Sequence, residues 1–229
     1  MDLLVVSVAS DGAQSHLGDR IRRAGASSSD SLIGATWPEV AEQAVARLDG
    51  RRLVIDADLT GLNIAVQRLM RAGVLKEVET AVLLQEPVRY LHRLGLPSDL
   101  TGQIEVAVRG PARVVGVIKD DSGGVCIDSA AMSRWSDTDT WWLRAMVDDQ
   151  QLCDGTARSL SLRRLSPSEL EATVRIGRLK RRTRRGRSLQ LACDEARIIT
   201  DGQPRERPRS KRTFWSEPTL WKLALPAAE

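Results

Sequence analysis

"LVIDADLTGLNIAVQRLMRAG" (residues 53–73) opens as a continuous apolar run and closes in helical spacing, with Leu62, Val66, Leu69 and Met70 on one face. The stretch therefore reads as a buried strand, a turn of Asp56-Ala57-Asp58-Leu59-Thr60-Gly61, and an amphipathic helix. A strand that runs through a tight turn into a helix offers backbone N–H groups to an anion, the usual way of holding a phosphate. Such turns are normally crowded with glycine, whereas this one carries two aspartates and a leucine. Three readings stand open: a working phosphate loop, a decayed one, or a plain connection.

Outward from this stretch the first half keeps alternating. "LLVVSVA" reads as a strand and "SHLGDRIRRAG" as a helix closed by Gly25; "SLIGAT" follows as a second strand. Thr36 then stands as N-cap to a helix with Pro38 in its first turn and Val40, Ala44, Val45 and Leu48 on one face. "ETAVLLQ" is strand-like, and "PVRYLHRLG" and "SDLTGQIEVAVRG" are helical. Alternation with strands apolar on both faces indicates a mainly parallel sheet covered by helices. After Pro111 the texture changes to short strands separated by Gly, Pro and Asp, among them "ARVVGVIKDD", "WWLRAMVDDQQ", "RSLQLAC" and "LWKLAL". The expected architecture is an α/β domain over residues 1–110 followed by an all-β, antiparallel sandwich-like domain over 111–229.

Composition sets the class. With 229 residues, 42% apolar and 28% charged, the chain can bury a sizeable core and is not disordered. No apolar run approaches the roughly 20 residues of a membrane span, and "MDLLVVSVASDG" lacks the basic start of an export signal. Cys126, Cys153 and Cys193 are odd in number and far apart, which argues against a disulfide framework and a zinc site and for a reducing cytoplasm. The net charge of +4 is concentrated late, in residues 175–187 and 205–212.

Several segments together resemble the bacterial diacylglycerol kinase (lipid kinase) family, which shares its superfamily with NAD kinases. "VIDADLTGLN" falls where that family has a strand, G-G-D-G-T-L-N and a helix, and "VLLQEPVRYLHRLGLP" ends like its second hallmark, in Leu94-Gly95-Leu96-Pro97. "VDDQQLCDG", "TDGQP" and "KRTFWSEPTLWKLALP" look like its later segments, so the resemblance spans about residues 40–226. It implies a nucleotide domain followed by a β-sandwich, with ATP and Mg as cofactors if the protein is active. On the motif, Asp58, Thr60 and Asn63 match the D, T and N when one residue is inserted; a gapless pairing keeps only Leu62-Asn63. The family's general base lies in a D-G-E-like turn, which places Asp201 of "TDGQP" as candidate base, with Gln203 where the acid stands. Asp-Gly is equally a common β-turn pair.

The glycines of both hallmarks are replaced. Asp56, Ala57 and Leu59 stand in the first, and Gln85, Glu86, Pro87, Val88 and Arg89 in the second. Glycine reaches positive φ and lets the backbone close on phosphate oxygens, whereas Pro87 has no N–H to donate. Asp56 and Glu86 would also set carboxylates beside a triphosphate, at about 1 kcal/mol each even when well screened. The reading is therefore a divergent family member with a degenerate ATP site, acting as a lipid-, membrane- or partner-binding pseudoenzyme. An active lipid kinase with an unusual nucleotide loop is the alternative, and a polyanion or nucleic-acid binder the second alternative.

Eight of thirteen residues in 175–187 are basic, and the run lies between two predicted strands, so a hairpin tip projecting into solvent is expected. Lys180, Arg181, Arg182, Arg184 and Arg185 are its candidate anion- or membrane-binding residues, on a protein that would then sit peripherally at the inner membrane face. Nucleic acid ranks below a membrane because no recognition motif accompanies the charge. Trp135, Trp141, Trp142, Trp215 and Trp221 read as core volume of the β half, with a lipid-facing rim as the alternative. His16 and His92 lack metal-ligand spacing, and Asp120, Asp121, Asp148 and Asp149 read as turn and strand-end carboxylates, so no metal site is expected. Exposed sandwich edges leave a homodimer open.

Overall fold

The computed structural model describes residues 1–8, 17–84, 88–135, 140–204 and 207–227, and of Val88 and Arg89 the backbone only. The chain divides into two compact units, Met1–Val115 with Leu220–Glu229, and Gly116–Thr219. The sequence division at Gly110 keeps the last ten residues with the β-rich half, whereas in the structure they belong to the first unit.

In the first unit the elements are β1 (Asp2–Val8), α1 (Leu17–Arg23), β2 (Ser28–Gly34), α2 (Trp37–Ala46), β3 (Arg52–Ala57), α3 (Leu59–Arg71), β4 (Glu79–Leu84), α4 (Val88–Leu94) and α5 (Leu100–Arg109). Strands β1 and β2, β1 and β3, and β3 and β4 pair in parallel. The inner strands β1, β3 and β4 are buried nearly end to end, as the two-sided apolar runs predict. Helix α2 starts after Thr36, with Pro38 in its first turn, and Gly25 takes φ 103 after α1. No helix among the described residues is long and apolar enough to cross a membrane.

The remaining elements are β5 (Ala112–Asp120), β6 (Val125–Cys126), β7 (Ser129–Arg134), β8 (Trp141–Val147), β9 (Gln150–Ala157), β10 (Ser159–Ser166), β11 (Glu169–Arg175), β12 (Arg181–Gly186), β13 (Ser188–Thr200), β14 (Gln203–Pro204) and β15 (Arg209–Ala224). Strand β13 is the hinge of the second unit. Its first half pairs β8 and β15, and beyond a register shift between Ala192 and Ala196 its second half pairs β7. A bulge that lets one strand serve two layers is the usual corner of an orthogonal sandwich. One layer runs β12-β11-β10-β7-β13, and β8 and β9 extend the other. Leu160, Leu162, Ala172, Val174, Leu143, Leu189 and Trp141 fill the space between them.

The end of β15 adds a parallel strand to β4, pairing Lys222 with Glu79 and Leu223 with Thr80. Trp221 is consequently a core residue of the first unit, not of the β half. Of the other tryptophans expected in the core, Trp141 is buried, Trp135 and Trp215 are half-buried, and Trp142 is 44% exposed. The three cysteines are free thiols and buried, and burial, with Asp194 beside it, pushes Cys193 up to about 12.

The basic run forms the expected hairpin, but most of it is strand and only its apex is turn. Residues 181–186 are strand β12, paired antiparallel to β11 from Leu170–Gly186 to Arg175–Arg181, and only residues 176–180 turn. Strand alternation splits the five candidate residues between two faces. Arg181 and Arg185 share a face with Thr173 and Glu171, while Arg182 and Arg184 lie across from Val174 and Ala172. Glu171 is buried, and hydrogen bonds and charge from Arg163 and Arg185 outweigh that burial and hold its carboxyl below the usual range.

Candidate functional site

In an open parallel sheet, ligands bind at the carboxyl ends of the strands where the strand order reverses. Here β2 lies on one side of β1 and β3 and β4 on the other, so that place is the carboxyl ends of β1 and β3. The turn after β3 is the quoted stretch. The turns after β1 and β4, which include Gln85, Glu86 and Pro87, lie outside the described residues.

A single residue, Asp58, separates β3 from α3. Its extended backbone makes it the N-cap, and its carboxylate accepts the Gly61 N–H at 2.6 Å while Leu62 N donates to its carbonyl at 2.9 Å. An anion already sits on the first turn of α3, and it is the protein's own. Leu59 is buried. A Cβ on Gly61 would lie 2.2 Å from Trp37 Nε1, so the indole of Trp37, the first residue of α2, covers the turn at Gly61. Thr60 is half-buried. Asn63 is only 1% exposed, and Gln67 donates to its Oδ1 at 3.2 Å, so the matched asparagine belongs to the inner face of the helix.

The same local device occurs a second time. Asp99-Leu100-Thr101-Gly102 repeats Asp58-Leu59-Thr60-Gly61, and Asp99 caps α5 by accepting the Gly102 N–H at 2.8 Å. The sequence signal for the cap was thus present in D-L-T-G itself. Trp37, which carries no motif, had no such signal.

Asp56, at the end of β3, is partly buried, and that desolvation raises its carboxyl above the ordinary range. Because the folded carboxyl holds its proton more tightly than the unfolded one, its contribution to stability is full below the ordinary carboxyl range. It is lost as pH rises through the raised value. The Asp56→Asn variant should therefore melt higher than the parent near neutral pH, with the gap closing by about pH 4. A gap equal at both pH values would assign the effect to packing instead.

Asp201 sits in the β13–β14 hairpin, where Asp201 (φ 49) and Gly202 (φ 82) both take positive φ, the pattern of a type I′ turn. Its side chain is 2% exposed and turned back into the protein. The carboxylate accepts the N–H groups of Ile127 (2.6 Å), Asp128 (2.8 Å) and Ser129 (3.1 Å), and the Cys126 thiol donates at 3.6 Å. A carboxylate so enclosed anchors the chain between β6 and β7.

Asp120 is likewise buried. Hydrogen bonds from Ser122 and Gly124, with Arg212 nearby, outweigh that burial and hold its carboxyl below the usual range. Asp148 is exposed and accepts the N–H groups of Arg187 (3.1 Å) and Ser188 (2.9 Å), which fixes the chain leaving β12. No group of three or more His, Cys, Asp or Glu side chains fit to hold a metal ion occurs among the described residues. A cavity of about 780 Å³ in the first unit, bordered by Asp2, Arg51, Arg52, Glu77 and Glu79, opens at the amino ends of β1, β3 and β4, away from the turn after β3.

No protein-family model and no curated protein matches the sequence. Solved structures do match. A diacylglycerol kinase from Bacillus anthracis str. Sterne is similar over 98% of this chain and 96% of its own, with a TM-score of 0.74 at 11% identity. An NAD kinase from Archaeoglobus fulgidus, solved in complex with ATP, covers 98% of this chain and 93% of its own (TM-score 0.66, 11% identity). Yeast NADH kinase complexed with NADH covers 100% and 84% (TM-score 0.60, 10% identity). Identities this low speak to architecture and not to chemistry. A parallel α/β unit, an antiparallel two-layer β unit and the strand order around β3 give this chain the fold shared by bacterial diacylglycerol kinases and NAD kinases.

Proposed function

We infer that the protein is a non-catalytic member of this fold, one that does not seat nucleotide phosphates at the turn before α3 and acts by binding a lipid, a membrane surface or a protein partner. The observation that carries this reading is the Asp58 carboxylate on the Gly61 N–H. A phosphate oxygen approaching the same N–H would have to displace a bound acceptor and face its charge, with Asp56 two residues away. Trp37 over Gly61 and the enclosed Asp201 support the reading, because the residues present do not fit a triphosphate or a free base.

One observation favours a second reading, an active ATP-dependent lipid kinase with an unusual loop: the likeness in fold to a kinase solved with ATP. In that case Asp58, Thr60 and Asn63 would line the phosphates, with Mg as companion ion and Asp201 as base. The readings separate on titration with Mg-ATP while melting is followed. Saturation at 100 times the dissociation constant stabilises a protein by about 2.7 kcal/mol. We expect no shift at millimolar nucleotide and no phosphoryl transfer to diacylglycerol. A saturable shift, or a phosphorylated lipid product, would reject the non-catalytic reading.

A further inference from the structure

The β11–β12 hairpin is built unlike the rest of the β unit. Its turn, residues 176–180, is closed by Ile176 N donating to Lys180 O at 3.0 Å. Ile176 packs against the sandwich core, so the turn is rooted in the fold. Three residues later Leu179 is 94% exposed, against 36–53% for the other exposed large hydrophobic residues. Around that leucine Arg175, Arg178, Lys180, Arg181, Arg182 and Arg184 are all exposed, and residues 172–187 contain no Asp or Glu.

We propose that this hairpin docks tip-first on an anionic phospholipid surface, with Leu179 entering the acyl boundary and the cations meeting lipid phosphates. Two geometrical points favour a bilayer over a nucleic acid. Alternation puts Arg181 and Arg185 on one face of β12 and Arg182 and Arg184 on the other, so a groove or flat face that tracks a nucleic-acid strand engages only half of them. A headgroup layer entered end-on surrounds both faces at once. The apex residue, moreover, is an aliphatic side chain that a bilayer buries, and residues 169–187 include no aromatic ring on which a base could stack. At a rise of about 3.3 Å per residue, Arg181 falls within a headgroup layer roughly 5–7 Å deep, and Arg182 and Arg184 within about a Debye length of it. Arginine supplies all but one of these cations, and its planar fork suits phosphate oxygens.

The inference deepens, and rests on, the membrane-surface part of the proposed function, but it does not depend on the loss of nucleotide binding. Vesicle binding reads the hairpin and the Mg-ATP titration reads the turn before α3, so either can fail alone. The test is co-sedimentation of the full chain with vesicles of phosphatidylcholine alone and of equimolar phosphatidylcholine and phosphatidylglycerol. Binding to the anionic vesicles only, weakened by added salt, is expected. Leu179→Ser should lower the partition coefficient about tenfold. Replacement of Arg178, Lys180 and Arg181 together by Gln should lower it about a hundredfold at low salt. These side chains are exposed, and unchanged melting of each variant confirms that the fold is intact. A polarity-sensitive fluorophore on a Leu179→Cys variant should shift to the blue on anionic vesicles. Equal binding to both vesicle types, or full binding by Leu179→Ser with no blue shift, would overturn the proposal. So would salt-sensitive binding of a single-stranded oligonucleotide in place of vesicles.

Discussion

Replacing Asp201 by alanine should destabilise the protein by about 3–5 kcal/mol, one of two large core effects expected in urea unfolding. The carboxylate is almost wholly buried and is the acceptor for three consecutive backbone N–H groups, those of Ile127, Asp128 and Ser129. Truncation leaves these donors in the interior with nothing in their place, and each such orphan costs more than an ordinary hydrogen bond contributes. Asp201→Asn retains one acceptor oxygen and tolerates the positive φ of the turn, so it should lose less. If Asp201→Ala unfolds within about 0.5 kcal/mol of the parent, the carboxylate does not anchor this loop and its candidacy as a base is restored.

The second large effect is expected at Trp221. The side chain is 1% exposed, and its indole N–H donates to Thr80 Oγ1, whose hydroxyl in turn donates to the Lys222 carbonyl at 2.8 Å. Trp221→Ala should cost about 3–5 kcal/mol through the cavity it leaves. It should also loosen the end of β15 from β4, because the two registered pairs there flank the same hydrogen bonds. Amide exchange across residues 220–224 should accelerate well beyond that of β1 and β3. Protection equal to the parent would show that the strand pairing stands without the indole.

These two residues also mark where sequence reasoning loses its hold. Asp201 in a T-D-G-Q-P stretch is equally a turn residue and a candidate base, and its enclosure depends on the placement of residues 127–129, more than seventy positions earlier. Trp221 lies in a strand-like apolar run that fits the β half by texture. Its partner, Thr80, lies in the first unit, to which Trp221 itself belongs, and no local pattern encodes a contact across 141 positions. The turn before α3 was more legible, since a cap is made within three residues. Once D-L-T-G is seen twice, each before a helix, an ordinary N-cap follows from side-chain chemistry.

The basic run shows the same division inside one segment. Its charge, its lack of acids and its place between strands are matters of composition. Which arginines share a face is a matter of register, since pairing one residue out of step would exchange Arg181 and Arg185 for Arg182 and Arg184.

By itself the sequence determined the alternation of strand and helix up to Pro111, the antiparallel character that follows, the strand–turn–helix around Asp58 and the position of the charge. Each depends on periodicity or on hydrogen bonds spanning a few residues, and such terms act before the chain closes on itself. The tertiary structure alone decided that Trp37 covers Gly61, that Asp201 is enclosed, that Trp221 serves the first unit and that Leu179 stands out at a cationic apex. Those outcomes depend on which distant segments pack together, a choice made by the total area buried and the donors satisfied across the whole chain.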